Sequence, residues 1–362
     1  MRIGFVIPDL RGGGAEQVII NLANYLSNIH NVFLFVGKNQ GKCRNKISEK
    51  VEIIELSGSN KGLVNLIPII KLTKHYTIDV LIGTLSMAFV VSIASIFLKK
   101  TKCIARIGNT LSSDIESKSR LNKVLFKIYF QMLIFADVII CQSDYMLNDL
   151  ISLTIFKNRL ITKSKVIKNP IDIKKINNEI SNISLFPFDK IKLISIGRID
   201  YQKDYFCSLN VVKELVNRGH KVELTILGEG PLLEELEIYC NKLNIAPYVS
   251  FLGYVSEPKE IILSSHILLL TSLYEGYSNV IVESLCNGIP VVATDSPGGN
   301  REIIKNAING YLSDVGDFKD IADNIELLLA NYNEIRTNII NSNVRDVHSI
   351  KSIAESYIKV MN

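Results

Sequence analysis

Residues 267–294, ILLLTSLYEGYSNVIVESLCNGIPVVAT, set a strand, a helix and a second strand in immediate succession. The run 267–271 is apolar without alternation, as in a strand buried on both faces. Gly276 allows a sharp turn after Glu275, Ser278 is suited to cap a helix starting at Asn279, and Gly288 with Pro290 supplies the stop. A new apolar strand opens at 291–294. Two such strands joined by a helix are one repeat of a parallel sheet covered on both faces.

The same rhythm continues outward. Strands are expected at 192–196, 222–227 and 249–252 in this half, and at 3–7, 32–36, 51–56, 80–82, 103–107, 138–141 and 165–167 in the other. Helical periods lie between them, as at 15–27 and 121–135, and the tail from 322 to 360 reads as helical. Past Pro170 the pattern breaks into a polar stretch rich in Asn, Lys and Ile that contains Pro187. The expected architecture is α/β, with two Rossmann-like doubly wound domains facing a central cleft. Domain 1–171 is joined by a linker, 172–189, to domain 190–345, and a helix in 346–362 could cross back to the first domain. Open sheets of this kind bind ligands outside the carboxyl ends of their strands.

Composition narrows the classes of function. The 362 residues are 47% apolar and 21% charged, enough for two cores. A formal charge of +5 suits anionic ligands or an anionic membrane surface and is too small to argue for nucleic acid. Cys43, Cys103, Cys141, Cys207, Cys240 and Cys286 form no CxxC pair, which argues for buried thiols in a reducing, cytoplasmic setting and against a zinc site. The start, Met1 to Pro8, is too short an apolar run for a signal peptide. Residues 80–98 carry no charge and are long enough to span a bilayer, but Gly83-Thr84 divides them into a buried strand and a buried helix.

Four loops at strand ends carry chemistry. The helix starting at Asn279 offers the backbone N–H groups of Asn279 and Val280 to a phosphate. Glu275 in the loop and Glu283 inside the helix do not share a face, so they can touch different parts of one extended ligand; read alone, each is as readily a solvated residue. In Gly197-Arg198-Ile199-Asp200-Tyr201-Gln202-Lys203, a guanidinium and an ammonium leave a strand's carboxyl end, where they could hold a diphosphate as leaving group. Arg11-Gly12-Gly13-Gly14-Ala15-Glu16 opens the first helix and is neither GxGxxG nor a P-loop, yet its small residues permit close approach to an anion. Gly228-Glu229-Gly230-Pro231 repeats that design, with Pro231 placed for a first helical turn.

Taken together, these motifs resemble the retaining glycosyltransferases of sequence family 4, of the GT-B fold and of the type that assembles polysaccharides and lipid-linked glycans. Gly13 to Glu16, Gly197 to Lys203, Gly228 to Pro231 and the Glu275–Glu283 pair fall in the family's order. Asn169-Pro170-Ile171-Asp172 and Pro297 to Glu302 match two further elements, so the resemblance covers nearly the whole chain. It implies that Arg198 and Lys203 bind the donor diphosphate, met also by the Asn279 and Val280 amides beside Gly276 and Tyr277. It further implies that Glu283 holds the ribose, Glu275 contacts the donor sugar, Gly13 and Gly14 close over the phosphates, and Tyr254 and Val255 lie by the base. The sequence departs from the family twice. Arg106-Ile107-Gly108-Asn109-Thr110 lacks the His many relatives carry there, and Asp204 replaces a usual Gly, so no general base is assigned.

The implied reaction moves a hexose or N-acetylhexosamine from a nucleoside diphosphate, UDP being favoured, to a growing glycan on a lipid carrier, with retention. It needs no cofactor, and the chain contains no Asp-x-Asp that would signal a metal. Lys99 to Lys102 and Lys118 to Lys127 offer peripheral contact with an anionic inner membrane surface. A sugar-nucleotide epimerase is one competing reading, but it needs acid–base groups near the sugar, and His30, His75, His220, His266 and His348 lie outside the donor loops. A non-catalytic nucleotide-sugar sensor is the other.

Overall fold

The computed structural model describes residues 1–116, 119–171 and 186–362. It divides into two compact units, Met1–Asp172 with Val347–Asn362, and Ile173–Asp346. Most of the expected linker, 172–185, and Lys118 lie outside the described residues.

The first unit is built on β1 (Arg2–Asp9), β2 (Asn31–Lys38), β3 (Val51–Glu55), β4 (Val80–Thr84), β5 (Lys102–Arg106), β6 (Val138–Cys141) and β7 (Ser164–Val166). They form one sheet in the order β3-β2-β1-β4-β5-β6-β7, all parallel. Both faces are covered, so β1 and β4 are buried almost end to end, as their unbroken apolar runs require. The segment that could have spanned a membrane is β4 followed by the helix Ser86–Ala94, and no helix among the described residues is long and apolar enough to cross one.

The second unit holds β8 (Ile191–Ile196), β9 (Val222–Leu227), β10 (Val249–Phe251), β11 (Ile267–Leu270), β12 (Val291–Thr294) and β13 (Gly310–Ser313). Its parallel order is β10-β9-β8-β11-β12-β13. Strand β13 was not expected from the sequence. It is four residues long, begins with Gly310 and gains its place by pairing with β12 rather than by an apolar run of its own.

The helical tail is not continuous. It breaks into Phe318–Ala330, Tyr332–Asn341, Val344–Val347 and Ile350–Met361. Asp317 caps the first by accepting from the amides of Lys319 and Asp320, and Ser349 caps the last by accepting from Ser352. The last helix belongs to the first unit, where Ile353, Ala354, Tyr357 and Met361 complete the core under the helix Gly14–Leu26. Ile171 donates its amide to the His348 carbonyl at 2.8 Å, so the chain leaves and re-enters this unit side by side. Tyr357 is buried beside the equally buried Arg106, whose guanidinium donates to Thr84 Oγ1 at 2.9 Å and Asn169 Oδ1 at 2.6 Å.

His266, just before β11, is stacked on Phe188 with ring centroids 3.6 Å apart, and its Nδ1 accepts from the Lys192 amide at 3.1 Å. Burial, helped by nearby Lys192, lowers its pKa to about 4. The unfolded chain, with an ordinary His pKa, therefore binds more protons than the native one between that value and about 6.5.

Two outcomes follow. Tyr357→Ala removes a large buried side chain and should cost about 3–5 kcal/mol in the urea unfolding of the first unit; a change within error would place the last helix outside the core. The stabilising effect of neutral His266 is complete above about pH 6.5 and is lost as pH falls through about 4, so His266→Gln should flatten the loss of stability of the second unit over that window. Identical slopes for both proteins would contradict it.

Candidate functional site

In the second unit the strand order reverses between β8 and β11. At such a switch point the loops leaving the two strands diverge and open a crevice at their carboxyl ends. The Gly197–Lys203 loop follows β8, and the Leu273–Ser278 loop follows β11. Two of the predicted site residues meet there. Lys203 Nζ donates to Glu275 Oε1 at 2.5 Å, and Ser272 Oγ donates to the same oxygen at 2.7 Å. The Lys203 and Glu275 side chains are 16% and 8% exposed. Lys203 is thus turned inward onto a carboxylate, a pairing that spacing along the chain did not reveal.

The backbone holds this pair in place. Leu273 donates to the Gln202 carbonyl at 2.8 Å, and Gln202 Nε2 donates to the Tyr274 carbonyl at 2.9 Å. Thr271 Oγ1 donates to the Asp204 carbonyl at 2.9 Å. Asp204 has φ 42°, in the left-handed region, and caps the helix Tyr205–Asn217 by accepting from the Cys207 amide at 3.3 Å. The glycine usual in relatives would meet the same backbone demand, and Asp tolerates it while adding a cap.

The loop after β12 closes the third side. Glu275 donates its amide to the Pro297 carbonyl at 2.9 Å, and Gly299 donates to the Gly276 carbonyl at 2.7 Å. The special backbone is at Gly298, with φ 140°, where a Cβ would collide with the Glu275 carbonyl. Gly276, expected to supply the sharp turn, has no positive φ. Gly228 plays a similar part after β9: its φ is 149°, and a Cβ there would strike the Gly197 carbonyl. That glycine loop therefore serves close backbone packing, and Pro231 precedes the helix Leu233–Lys242 instead of opening it.

The helix Asn279–Cys286 begins where expected, with Ser278 as N-cap, but Ser278 makes no side-chain cap bond. Its Oγ is buried without a partner among the described residues, beside the half-exposed Asn279 and Val280. Glu283, one turn further on, is also half-exposed, whereas Gly276 and Tyr277 are buried. Arg198 differs from Lys203. Its side chain is 73% exposed and approaches Asp200 Oδ2 at 3.4 Å. Tyr254 and Val255 follow β10, the edge strand two places from β8, and the Gly228 amide ties that end in by donating to the Gly253 carbonyl at 2.7 Å.

The first unit has its own switch point, between β1 and β4. Gly13 is the N-cap of Gly14–Leu26 and has an ordinary extended backbone; the left-handed residue is Gly12, φ 104°. The Glu16 carboxylate lies against Gly13, so a phosphate expected there would meet an anion already in place. The sequence reading missed Leu85, at the sharp turn from β4 into Ser86–Ala94. Its φ of 56° and ψ of −134° are unfavourable for a branched side chain, and strain of this kind costs about 1–3 kcal/mol and clusters at functional sites. No sequence signal marks it, because the strain follows from the tight strand-to-helix connection. The cysteines among the described residues are all buried, and burial pushes Cys103, Cys141, Cys207 and Cys286 up to about 12, which fits packing and not nucleophilic work.

Two family models divide the chain between them: Glycosyltransferase Family 4 over residues 12–175 and Glycosyl transferases group 1 over residues 176–345. Among curated proteins the chain is similar to the N-acetylgalactosamine-N,N'-diacetylbacillosaminyl-diphospho-undecaprenol 4-alpha-N-acetylgalactosaminyltransferase of Campylobacter jejuni, 27% identical over 91% of this chain and 90% of that one. It is 26% identical to a second protein of that organism, GalNAc-alpha-(1->4)-GalNAc-alpha-(1->3)-diNAcBac-PP-undecaprenol alpha-1,4-N-acetyl-D-galactosaminyltransferase, over 100% of this chain and 98% of that one. Among solved structures, Anabaena Alr3699/HepE in complex with UDP and glucose superposes with a TM-score of 0.81 at 20% identity, covering 100% of this chain and 99% of that one. The likeness in structure shows the fold: two Rossmann-like α/β units of the GT-B type.

The inward pair makes a prediction about stability. Lys203→Met leaves a buried carboxylate, and Glu275→Leu leaves a buried ammonium. Each should cost about 3–5 kcal/mol in urea unfolding of the second unit, and the double variant should lose clearly less than the sum. Additive losses would mean that the two side chains do not pair in solution.

Proposed function

We propose, from the premise that the chain is a glycosyltransferase of the GT-B fold related to both matched families, that it transfers a hexose or N-acetylhexosamine from a UDP-sugar to a growing lipid-linked glycan with retention. The observation that carries the reading is the meeting of Lys203 and Glu275 at the β8/β11 switch point. Beside them is a helix N-terminus whose capping hydroxyl has no partner among the described residues. The printed activities of the two Campylobacter relatives, both on undecaprenol-linked substrates, support the acceptor class. The UDP bound to the Anabaena protein supports the nucleotide.

In this mechanism the donor pyrophosphate sits against the Asn279 and Val280 amides and Ser278 Oγ, and Arg198 swings in from solvent to its outer oxygens. Lys203 keeps its bond to Glu275 and turns its remaining protons to the phosphate. Glu275 is thereby oriented toward the sugar hydroxyls, and Glu283 takes the ribose. The bond from the anomeric carbon to the phosphate oxygen breaks, and the acceptor oxygen bonds to that carbon on the same face. The acceptor proton passes to the departing phosphate, so UDP leaves protonated and no side-chain base is needed. Preorganised cations and amides stabilise the charge that builds on the leaving group, which is the largest contribution such a site makes. Work on a cytoplasmic lipid-linked acceptor fits this donor chemistry.

A panel of sugar nucleotides, scored by thermal unfolding, tests the donor: a ligand at about 100 times its Kd stabilises by about 2.7 kcal/mol. For the best donor, Arg198→Ala should weaken binding about 10–100-fold, the range expected for a charge-assisted hydrogen bond. Glu275→Gln should bind the donor within a few-fold of wild type and lose transfer to an undecaprenol-linked acceptor. Arg198→Ala binding as tightly as wild type would remove the pyrophosphate from this site, and a product with inverted anomeric configuration by NMR would overturn retention.

A further inference from the structure

Two donors of different character hold Glu275 by the same oxygen. Oε1 accepts from Lys203 Nζ at 2.5 Å and from Ser272 Oγ at 2.7 Å. Lys203 reaches it on a flexible four-carbon stem, its side chain is 16% exposed, and it carries a charge that an arriving phosphate attracts. Ser272 is fully buried and uncharged, and its hydroxyl is joined to the backbone through a single methylene. A ligand can draw on the first donor and has no access to the second.

Ser272 is itself fixed by buried neighbours. Thr294 Oγ1 donates to the Ser272 carbonyl at 2.6 Å, and Asn300 Nδ2 donates to the Thr294 carbonyl at 3.1 Å. Thr294 and Asn300 are fully buried as well. These bonds run from the start of the helix Asn300–Ile303, through the last residue of β12, to the turn after β11. Other buried hydroxyls at this end of the sheet use their protons differently. Ser195 Oγ donates to the Leu269 carbonyl at 2.7 Å, and Ser208 and Thr271 are hydrogen-bonded to each other at 2.7 Å. Those are neutral bonds that join strands and helix. The Ser272 bond ends on a carboxylate, and a hydrogen bond to a charged group is roughly twice as strong as a neutral one.

We propose that Ser272 is a positioning residue for the transfer reaction, keeping the Glu275 carboxylate aimed while the donor pyrophosphate draws on Lys203. The inference rests on the reading of Glu275 as the contact to the donor sugar. In the empty protein both donors hold the carboxylate. With a pyrophosphate bound, the Lys203 ammonium is divided between two anions, and the Ser272 hydroxyl is the part of the hold that the ligand leaves intact. A carboxylate that has lost its aim still admits the nucleotide, which in the proposed mechanism lies on Asn279, Val280, Arg198 and Glu283. It fails later, where the sugar must be held as its bond to phosphate breaks, and a small error of placement there is costly. The loss of Ser272 is therefore expressed in kcat and not in nucleotide affinity.

The test uses the full chain and reads two quantities: the Kd for UDP by calorimetry, and the steady-state release of UDP from sugar nucleotides. The donors are UDP-glucose, UDP-galactose, UDP-N-acetylglucosamine and UDP-N-acetylgalactosamine, each with water alone and with the undecaprenol-linked acceptor. On the donor that wild type turns over fastest, Ser272→Ala should lower kcat about 10–100-fold, with KM and the UDP Kd within about threefold of wild type. Ser272→Thr keeps the hydroxyl and should restore kcat to within a few-fold. Where the added methyl keeps that variant from folding, Thr294→Val takes its place: it removes the bond to the Ser272 carbonyl and should lower kcat with the UDP Kd unchanged. Wild-type kcat in Ser272→Ala, or UDP affinity that falls in step with kcat, would overturn the proposal and leave the donor site standing. Wild type that releases UDP from none of the donors under either condition would overturn the transfer reading, and this inference with it.

Discussion

Two side chains 72 residues apart, Lys203 and Glu275, meet across the point where the second sheet changes direction. Each would be costly to bury alone, and the attraction between them offsets that cost only where the geometry is held tightly. The holding is done by backbone. Leu273 binds Gln202, Glu275 binds Pro297, Gly299 binds Gly276, and Thr271 reaches the Asp204 carbonyl. Without these ties the two charges would have little reason to stay out of water. The loops of β8, β11 and β12 thus act as one piece, and a substitution at Gly298, φ 140°, would be felt at Glu275.

This arrangement also bears on the order of events at the site. A cation already committed to a carboxylate is preorganised, and in the proposed mechanism an anionic donor would find the ammonium in position with part of its charge compensated. Arg198, by contrast, has its side chain mostly in water and approaches only Asp200. One basic residue is buried on a carboxylate and one is exposed. In the proposed mechanism such a division would let binding gather charge around a phosphate without leaving two unpaired cations buried in the empty protein.

The first unit solves a similar topological problem with different residues. Its switch-point helix already has a carboxylate, Glu16, at its N-terminus, and strain sits at Leu85. Its integrity depends on the last helix of the chain, whose Tyr357 closes the core beside Arg106. The buried guanidinium donates through its two terminal nitrogens to Thr84 and to Asn169, next to the point where the chain leaves the unit, while its Nε has no partner among the described residues.

Short apolar runs between helical periods were enough to place twelve of the thirteen strands within a few residues, and in those buried on both faces, such as β1, β4, β11 and β12, the run leaves little freedom to be anything else. The exception, Gly310–Ser313, owes its conformation to its neighbour β12. One loop boundary was legible as well: the helix after Ser278 starts at Asn279. What only tertiary structure decided were contacts between residues far apart in sequence. Lys203 turns to Glu275, the demand for glycine falls on Gly298 in place of Gly276, Leu85 takes the strained turn, and the helical tail splits into four pieces, the last of which joins the first unit as the sequence had suggested. Local pattern reports which backbone a segment can adopt. Which charge finds which partner depends on strand order, and strand order is set by the packing of the whole sheet.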